Sequence, residues 1–165
     1  MYGKKELILK AYELLDRATP LKKDCGRLCG SICCKGDEHT GMWLFPGEDE
    51  FFSGNDNFKV TDCGNNFGYK AVICSGSCDR HERPLACRFF PYFPMTDEQG
   101  FDVRADIRGI RLCPLLLRNI KPNHDFIRQI RIASRLLSRD EEIRNYIKNI
   151  NEMLDEIEYL AERQL

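Results

Sequence analysis

No run of this 165-residue chain approaches the roughly 18 to 20 consecutive apolar residues that a membrane-spanning helix needs. A helical span is therefore not expected. The opening stretch, MYGKKELILKAYELLDRA, alternates charge with apolar residues and has no unbroken apolar segment, so it does not read as a signal peptide. A net charge of either sign is also missing: 25 lysines and arginines stand against 26 aspartates and glutamates. No global field draws such a chain to nucleic acid or to anionic lipid. Glycine-rich cofactor loops, a serine-nucleophile constellation, internal repeats and low-complexity segments are absent, which sets aside serine-hydrolase, phosphate-loop and nucleic-acid functions. Regular apolar patterning is thin from Lys35 to Asn66, and cysteine is missing from the last 52 positions.

Before those positions cysteine is abundant: all nine lie between Cys25 and Cys113. A chain of this length is expected to form one domain with a modest core that needs no disulfide staples. Without a secretory signal the expectation is a cytoplasmic chain kept reduced, where cysteine clusters serve as metal ligands or catalytic groups more often than as disulfides. Nine is odd, so a full set of disulfides is impossible in any case.

The ends read as helical and the middle as irregular. Leu7, Ala11, Leu14 and Leu15 share a face in residues 3–17, and Thr19-Pro20 ends that helix. MWLF (42–45), FKV (58–60), YKAVIC (69–74) and FDVRADI (101–107) read as strands, with Ser75-Gly76-Ser77 a turn that brings Cys74 near Cys78. After Pro122, Phe126, Ile130, Ala133 and Leu137 form one helical stripe. Ser138 to Glu141 reads as a capping box opening a second helix, whose seam is Ile143, Ile147, Ile150, Leu154, Ile157 and Ala161. The expected fold is a small α+β domain, with helices at both ends and a cysteine-rich, loop-rich middle of short antiparallel strands. Its divisions are an N-terminal helix (1–19), a cysteine-cluster region (20–116) and a C-terminal helical hairpin (117–165) packed on it, through which a protein partner could bind.

The stretch CGRLCGSICCKG (25–36) spaces Cys25, Cys29 and Cys33 by three intervening residues each, as in loops that wrap sulfur around an ion or cluster. Gly26 and Gly30 allow tight folding and leave amide N–H groups to point at sulfur. Adjacent Cys33 and Cys34 are expected to point apart, so one of them faces a second site or is spare. The second group is Cys74, Cys78 and Cys87, followed by Cys113-Pro114, a dipeptide of the kind that closes a ferredoxin cysteine run. The two groups are expected to meet in space. Six arginines (Arg80, Arg83, Arg88, Arg104, Arg108, Arg111) interleave with the later cysteines and read either as a solvated surface or as counter-charge for thiolates. The block Phe89, Phe90, Tyr92, Phe93 reads as core, as the dry shell of a metal centre, or as both.

Arg83-Pro84-x2-Cys87-Arg88-x2-Pro91 resembles the RPxxCRxxP segment of the YkgJ-type cysteine-cluster proteins, a family described as zinc- or iron-chelating domains with a CxxCxxCC signature. MWLFPGEDEF (42–51), the quartet ending in Cys33-Cys34, Cys74 and Cys78 before the Arg-Pro, and Cys113-Pro114 extend the likeness over about residues 20–116. The quartet departs from the pattern in being spaced CxxxCxxxCC, and His81 stands where a tyrosine often lies, as ligand, hydrogen-bond donor to a ligand or plain polar residue. The resemblance implies metal binding by Cys25, Cys29, Cys33, Cys34, Cys74, Cys78, Cys87 and Cys113, with Cys63 left over. Arg83 and Arg88 are the expected charge partners of a cluster, with Cys87 its indispensable ligand. An iron-sulfur cluster, of the 4Fe-4S type, is preferred to zinc on ligand number and on Cys113-Pro114. Three functions follow as alternatives: a metalloprotein in metal handling, electron transfer or partner modification; a methylase-like enzyme acting on a peptide or small molecule; and a structural zinc domain for protein interaction.

Overall fold

Leu7, Ile8, Ala11 and Leu15 form the buried face of helix α1 (Lys4–Leu15) in the computed structural model, which describes residues 2–35, 41–62, 68–76, 78–97 and 100–163. A short helix α2 (Gly26–Cys29) follows. Three strands, β1 (Met42–Trp43), β2 (Phe58–Asp62) and β3 (Lys70–Cys74), make an antiparallel sheet in the order β1-β3-β2. The register sets Phe58 opposite Cys74 and Val60 opposite Val72. Helix α3 (Leu85–Phe89) leads into the antiparallel pair β4 (Tyr92–Asp97) and β5 (Gly100–Ala105). One turn of helix, α4 (Pro114–Leu117), precedes α5 (His124–Leu137) and α6 (Glu141–Glu162). The result is the α+β fold the pattern implied, helical at both ends with short antiparallel strands between.

Two local expectations are corrected, and the aromatic block is resolved into two elements. Of MWLF, Met42 and Trp43 pair in the sheet and the Leu44 N–H still donates to the Lys70 carbonyl of β3 at 2.9 Å, while Phe45 leaves it and turns into the interior. The aromatic block splits into α3 and β4, and β4 runs through Pro94, which lies opposite Val103. A proline survives there because both members of a two-stranded ribbon are edges. At the second helix Asp140 is the N-cap, its carboxylate accepting from the Ile143 amide at 3.0 Å, while Ser138 caps the end of α5. The first turn then carries Glu141 and Glu142 at the positive end of the helix dipole. Asp140→Ala is expected to cost about 1 kcal/mol in a denaturant melt, and Ser138→Ala much less.

The main core joins both termini. Phe126, Ile130, Ala133 and Leu137 of α5 and Ile143, Ile147, Ile150 and Leu154 of α6 are buried with Ile8, Leu15, Phe45, Leu85, Phe89 and Phe93. Each such side chain contributes about 1.5 to 3 kcal/mol on burial. The Asn151 amide of α6 ties onto β4 by donating to the Pro94 carbonyl at 2.9 Å. The seam of α6 outruns this core: Ile157 is 37% exposed and Ala161 is exposed as well. A smaller cluster of Leu44, Phe52, Phe58 and Val72 lies under the sheet, and Cys74 and Cys78 pack against it. Among the described residues no helix is long and apolar enough to cross a membrane.

Candidate metal centre

The first cysteine loop is shaped by two residues with left-handed backbone. Gly30 (φ 62°) caps α2 and Ser31 (φ 55°) continues the reversal, so a 3-10 turn carries Ile32–Cys34 back past α2. A Cβ on Gly26 would stand 2.7 Å from the Ser31 hydroxyl oxygen, so a larger residue there would require the Ser31 side chain to turn aside. The glycine amides, however, do not face sulfur. Gly26 N–H donates to the Asp24 carboxylate at 3.1 Å and Gly30 N–H to the Gly26 carbonyl. Closing the turn uses the donors that were expected to serve the thiols.

The second group is carried by β3, the 3-10 turn Arg80–Glu82 and α3. Cys74 ends β3, and its thiol donates to the Cys34 carbonyl at 3.8 Å, so the two groups touch although 40 residues apart. Cys33, Cys34, Cys74, Cys78 and Cys87 line one cavity of about 450 Å³, together with Arg83, Asp106 and Arg108. Its other wall is apolar, formed by Met42, Trp43, Phe58, Val72, Phe90 and Leu112. Cys25, Cys29 and Cys113 are not part of this lining. Cys63 lies outside the described residues.

Electrostatics distinguish the thiols. Burial pushes the Cys87 thiol well above its ordinary value, and negative charge on Cys78 and Cys34 would push it further. Burial also raises Cys78, against a hydrogen bond with Arg83 and that residue's charge. Cys33 does not point away from Cys34. Its thiol donates to the Cys34 sulfur, and this bond, helped by the Arg83 charge, lowers Cys34 while Cys33 is raised. Cys34 is therefore the first of the pair to become thiolate, and the thiolate is the form that binds metal.

Among the described residues Arg83 is an arginine that bears directly on these sulfurs. Its guanidinium hydrogen-bonds Cys78, and its Nε is buried without a hydrogen-bond partner. Arg88, expected beside a cluster, turns the other way. It donates to the carbonyls of Arg83 (2.8 Å), His81 (2.7 Å) and Tyr12 (3.2 Å), and its guanidinium stacks on the Tyr12 ring at 4.6 Å. Arg80 donates to the Asp16 and Ala18 carbonyls at the end of α1, Arg104 pairs with Asp155 and Glu158 of α6, and Arg108 is locked on Asp106. His81 is exposed and bonds Asp16 at 2.6 Å, away from the cavity.

One functional-looking residue was not singled out by sequence. Glu48 is fully buried, and its carboxylate accepts from the Tyr12 hydroxyl, from Phe45 N–H at 2.9 Å and from Leu85 N–H at 2.6 Å. Leu85 opens α3, so Glu48 fixes the start of the helix that carries Cys87. Burial is the largest influence on its carboxyl and raises it to about 7. The only sequence cue was an acid directly after the Phe45-Pro46-Gly47 turn.

The donor set suits a thiophilic metal: soft sulfur ligands, a nearby guanidinium and a buried Nε–H with no acceptor. Among the described residues, no three Cys, His, Asp or Glu side chains stand close enough to hold an ion in their present rotamers. Zinc–sulfur bonds of about 2.3 Å place the sulfurs of a tetrahedral site about 3.8 Å apart, so these side chains must turn inward to bind. Comparisons with family models, with curated proteins and with solved structures each found no match.

Proposed function

We propose that this chain is a cytoplasmic cysteine-cluster metalloprotein of the YkgJ type that its Arg83-to-Pro91 segment resembles, holding an iron-sulfur cluster or zinc on thiolates. The observation that carries this reading is that Cys33, Cys34, Cys74, Cys78 and Cys87, from both cysteine groups, line one cavity together with Arg83. Four thiolates on a four-iron cluster or on zinc leave about two excess negative charges, and a buried site tolerates these only with cations or N–H donors nearby. Arg83 supplies both. A bound cluster would supply one-electron chemistry and zinc Lewis acidity, which fits roles in electron transfer, metal handling or modification of a partner.

A second reading, an enzyme acting on a peptide or small molecule, draws on the apolar wall facing the thiols. Structural zinc sites are closed, whereas catalytic ones keep an open side. The purely structural reading loses its motive, because the poorly patterned middle nonetheless buries Leu44, Phe45, Phe52 and Phe58. Anaerobic purification with metal analysis and a visible spectrum tests the proposal. The expected result is a brown protein with iron and sulfide, or a colourless one with zinc; protein free of both overturns it. Cys87→Ser is expected to lower bound metal and destabilise the fold, and Cys63→Ser to leave metal content unchanged. Equal effects of the two would overturn the assignment of Cys63 as the leftover cysteine.

A further inference from the structure

We infer that the cavity beside the thiols binds a small aromatic molecule that carries a hydrogen-bond-accepting oxygen, its rings on the apolar wall and its oxygen at Arg108. The inference narrows the second reading above to a class of molecule, and because it concerns binding alone it needs no metal.

The cavity has room to spare. It measures about 450 Å³, within the roughly 300 to 1,000 Å³ of sites that take small organic molecules. One ion takes little more than the space of a water, about 30 Å³, and a cluster stays within bonding distance of the sulfurs that hold it. Either leaves most of the apolar wall bare. The cavity also opens over apolar side chains, since Ile32 and Leu112 both line it and are both exposed. Such a rim costs an entering apolar molecule no stripping of polar groups.

One short turn fixes both the wall and its polar group. Asp106, nearly fully buried, caps the 3-10 turn Ile107–Gly109 by accepting from the Arg108 amide at 3.0 Å. The same carboxylate holds the Arg108 guanidinium, through Nε at 2.9 Å and Nη2 at 2.6 Å. Nη1 is left over: among the described residues it has no hydrogen-bond partner, and Arg108 lines the cavity. The guanidinium lies over the Trp43 ring, 5.6 Å from its centroid, which sets the spare donor against the apolar wall. At Gly109 a Cβ would stand 2.7 Å from Cζ of Phe90, so the Phe90 ring packs against bare backbone there. The turn thus presents a donor and an aromatic ring in fixed relation, and a ligand is spared the cost of ordering them. The charges of Asp106 and Arg108 cancel, so the spare donor calls for an accepting oxygen and the remaining wall for apolar rings.

The chain's only tryptophan, Trp43, stands on that wall and reports the test. The full chain is titrated with N-phenyl-1-naphthylamine, which has no oxygen, and with 8-anilinonaphthalene-1-sulfonate, the same skeleton with a sulfonate, and energy transfer from Trp43 to each is followed. Both are expected to saturate at one equivalent, the sulfonate about tenfold tighter or more, the worth of a hydrogen bond to a charged group. Arg108→Lys keeps the charge beside Asp106 but removes Nη1. It should bring the sulfonate down to the affinity of the naphthylamine and leave the naphthylamine unchanged. Leu112→Glu, at the exposed rim, should weaken both by about tenfold or more, because a carboxylate there must be desolvated. Leu117→Glu, also exposed but outside the lining, should change neither. Transfer that does not saturate, or equal effects of Leu112→Glu and Leu117→Glu, overturns the site, and equal affinities of the wild type for the two probes overturn the class of ligand. Saturable transfer in protein free of metal supports this inference while overturning the metal centre; metal-loaded protein without transfer overturns this inference alone.

Discussion

Arg88→Met is expected to destabilise the protein by about 3 to 5 kcal/mol, the range for breaking a buried charged network by removing one partner. The Arg88 side chain is almost wholly enclosed, and its fork joins three carbonyls from two distant segments while its face covers Tyr12. Methionine fills much of the volume but leaves those carbonyls without donors, each a desolvated acceptor. Against the roughly 5 to 15 kcal/mol by which domains are stable, this is a large share of the total. In a melt the midpoint should fall by roughly 10 °C. Arg88→Lys keeps the charge but cannot reach three carbonyls with one ammonium, and should recover only part of the loss. Because Arg88 faces carbonyls rather than sulfurs, the metal spectrum of the folded fraction of Arg88→Lys should match that of the wild type. An altered spectrum with unchanged stability would place Arg88 at the metal after all.

Glu48→Ala is expected to cost about 4 kcal/mol, since it leaves the Tyr12 hydroxyl and the Phe45 and Leu85 amides without an acceptor and opens a void beside α3. Glu48→Gln should cost about 1 to 3 kcal/mol, because its NH2 must face one of those donors. The carboxyl also ties stability to pH. Folded, it holds its proton up to about 7, against an ordinary value of 4.5. Between those values the folded state binds the extra proton, so the free energy of unfolding declines as pH rises from about 4.5 to 7 and is level on either side. The full difference is about 3 kcal/mol. Release of the proposed metal at low pH would act in the opposite direction, so the readout is the difference between wild type and Glu48→Gln in denaturant midpoints at pH 5, 6 and 7.5. The gap should narrow as pH rises; a gap independent of pH would mean that Glu48 is ionised throughout.

The helices were legible because burial on one side imposes a period that the chain must spell out: Leu7, Ala11 and Leu15, then Phe126 to Leu137, then Ile143 to Leu154 are the faces that the core encloses. The proximity of the two cysteine groups was legible as well, from shared chemistry rather than pattern. Strand β4 was not, because Pro91 and Pro94 are signals against a strand, and only its pairing with β5 on a two-stranded ribbon makes the second of them tolerable. The arginines misled for a related reason. Interleaving with cysteines places them near in sequence, but Arg80, Arg88 and Arg104 spend their donors on carbonyls and carboxylates of α1 and α6, contacts no local pattern encodes. Glu48 was hidden by its neighbours: three consecutive acids look like a solvated run until one is found to satisfy two amides and a hydroxyl in the interior.

The bonds from Arg80 and Arg88 to the carbonyls of Tyr12, Asp16 and Ala18 span 62 to 76 residues. During synthesis α1 and the first cysteine loop therefore emerge long before the residues that hold them. At roughly 5 to 20 residues per second, the interval between Cys34 and Cys87 lasts about 3 to 10 seconds. Over its first 40 residues, until Cys74 is made, four thiols stand on a nascent chain with neither Arg83 nor any sulfur of the second group to meet them. An ion shared by both groups, as proposed, would be seated only after translation has passed Cys87. Until then the fold itself gives the thiols of the early loop no cover from oxidants or from mismatched metals.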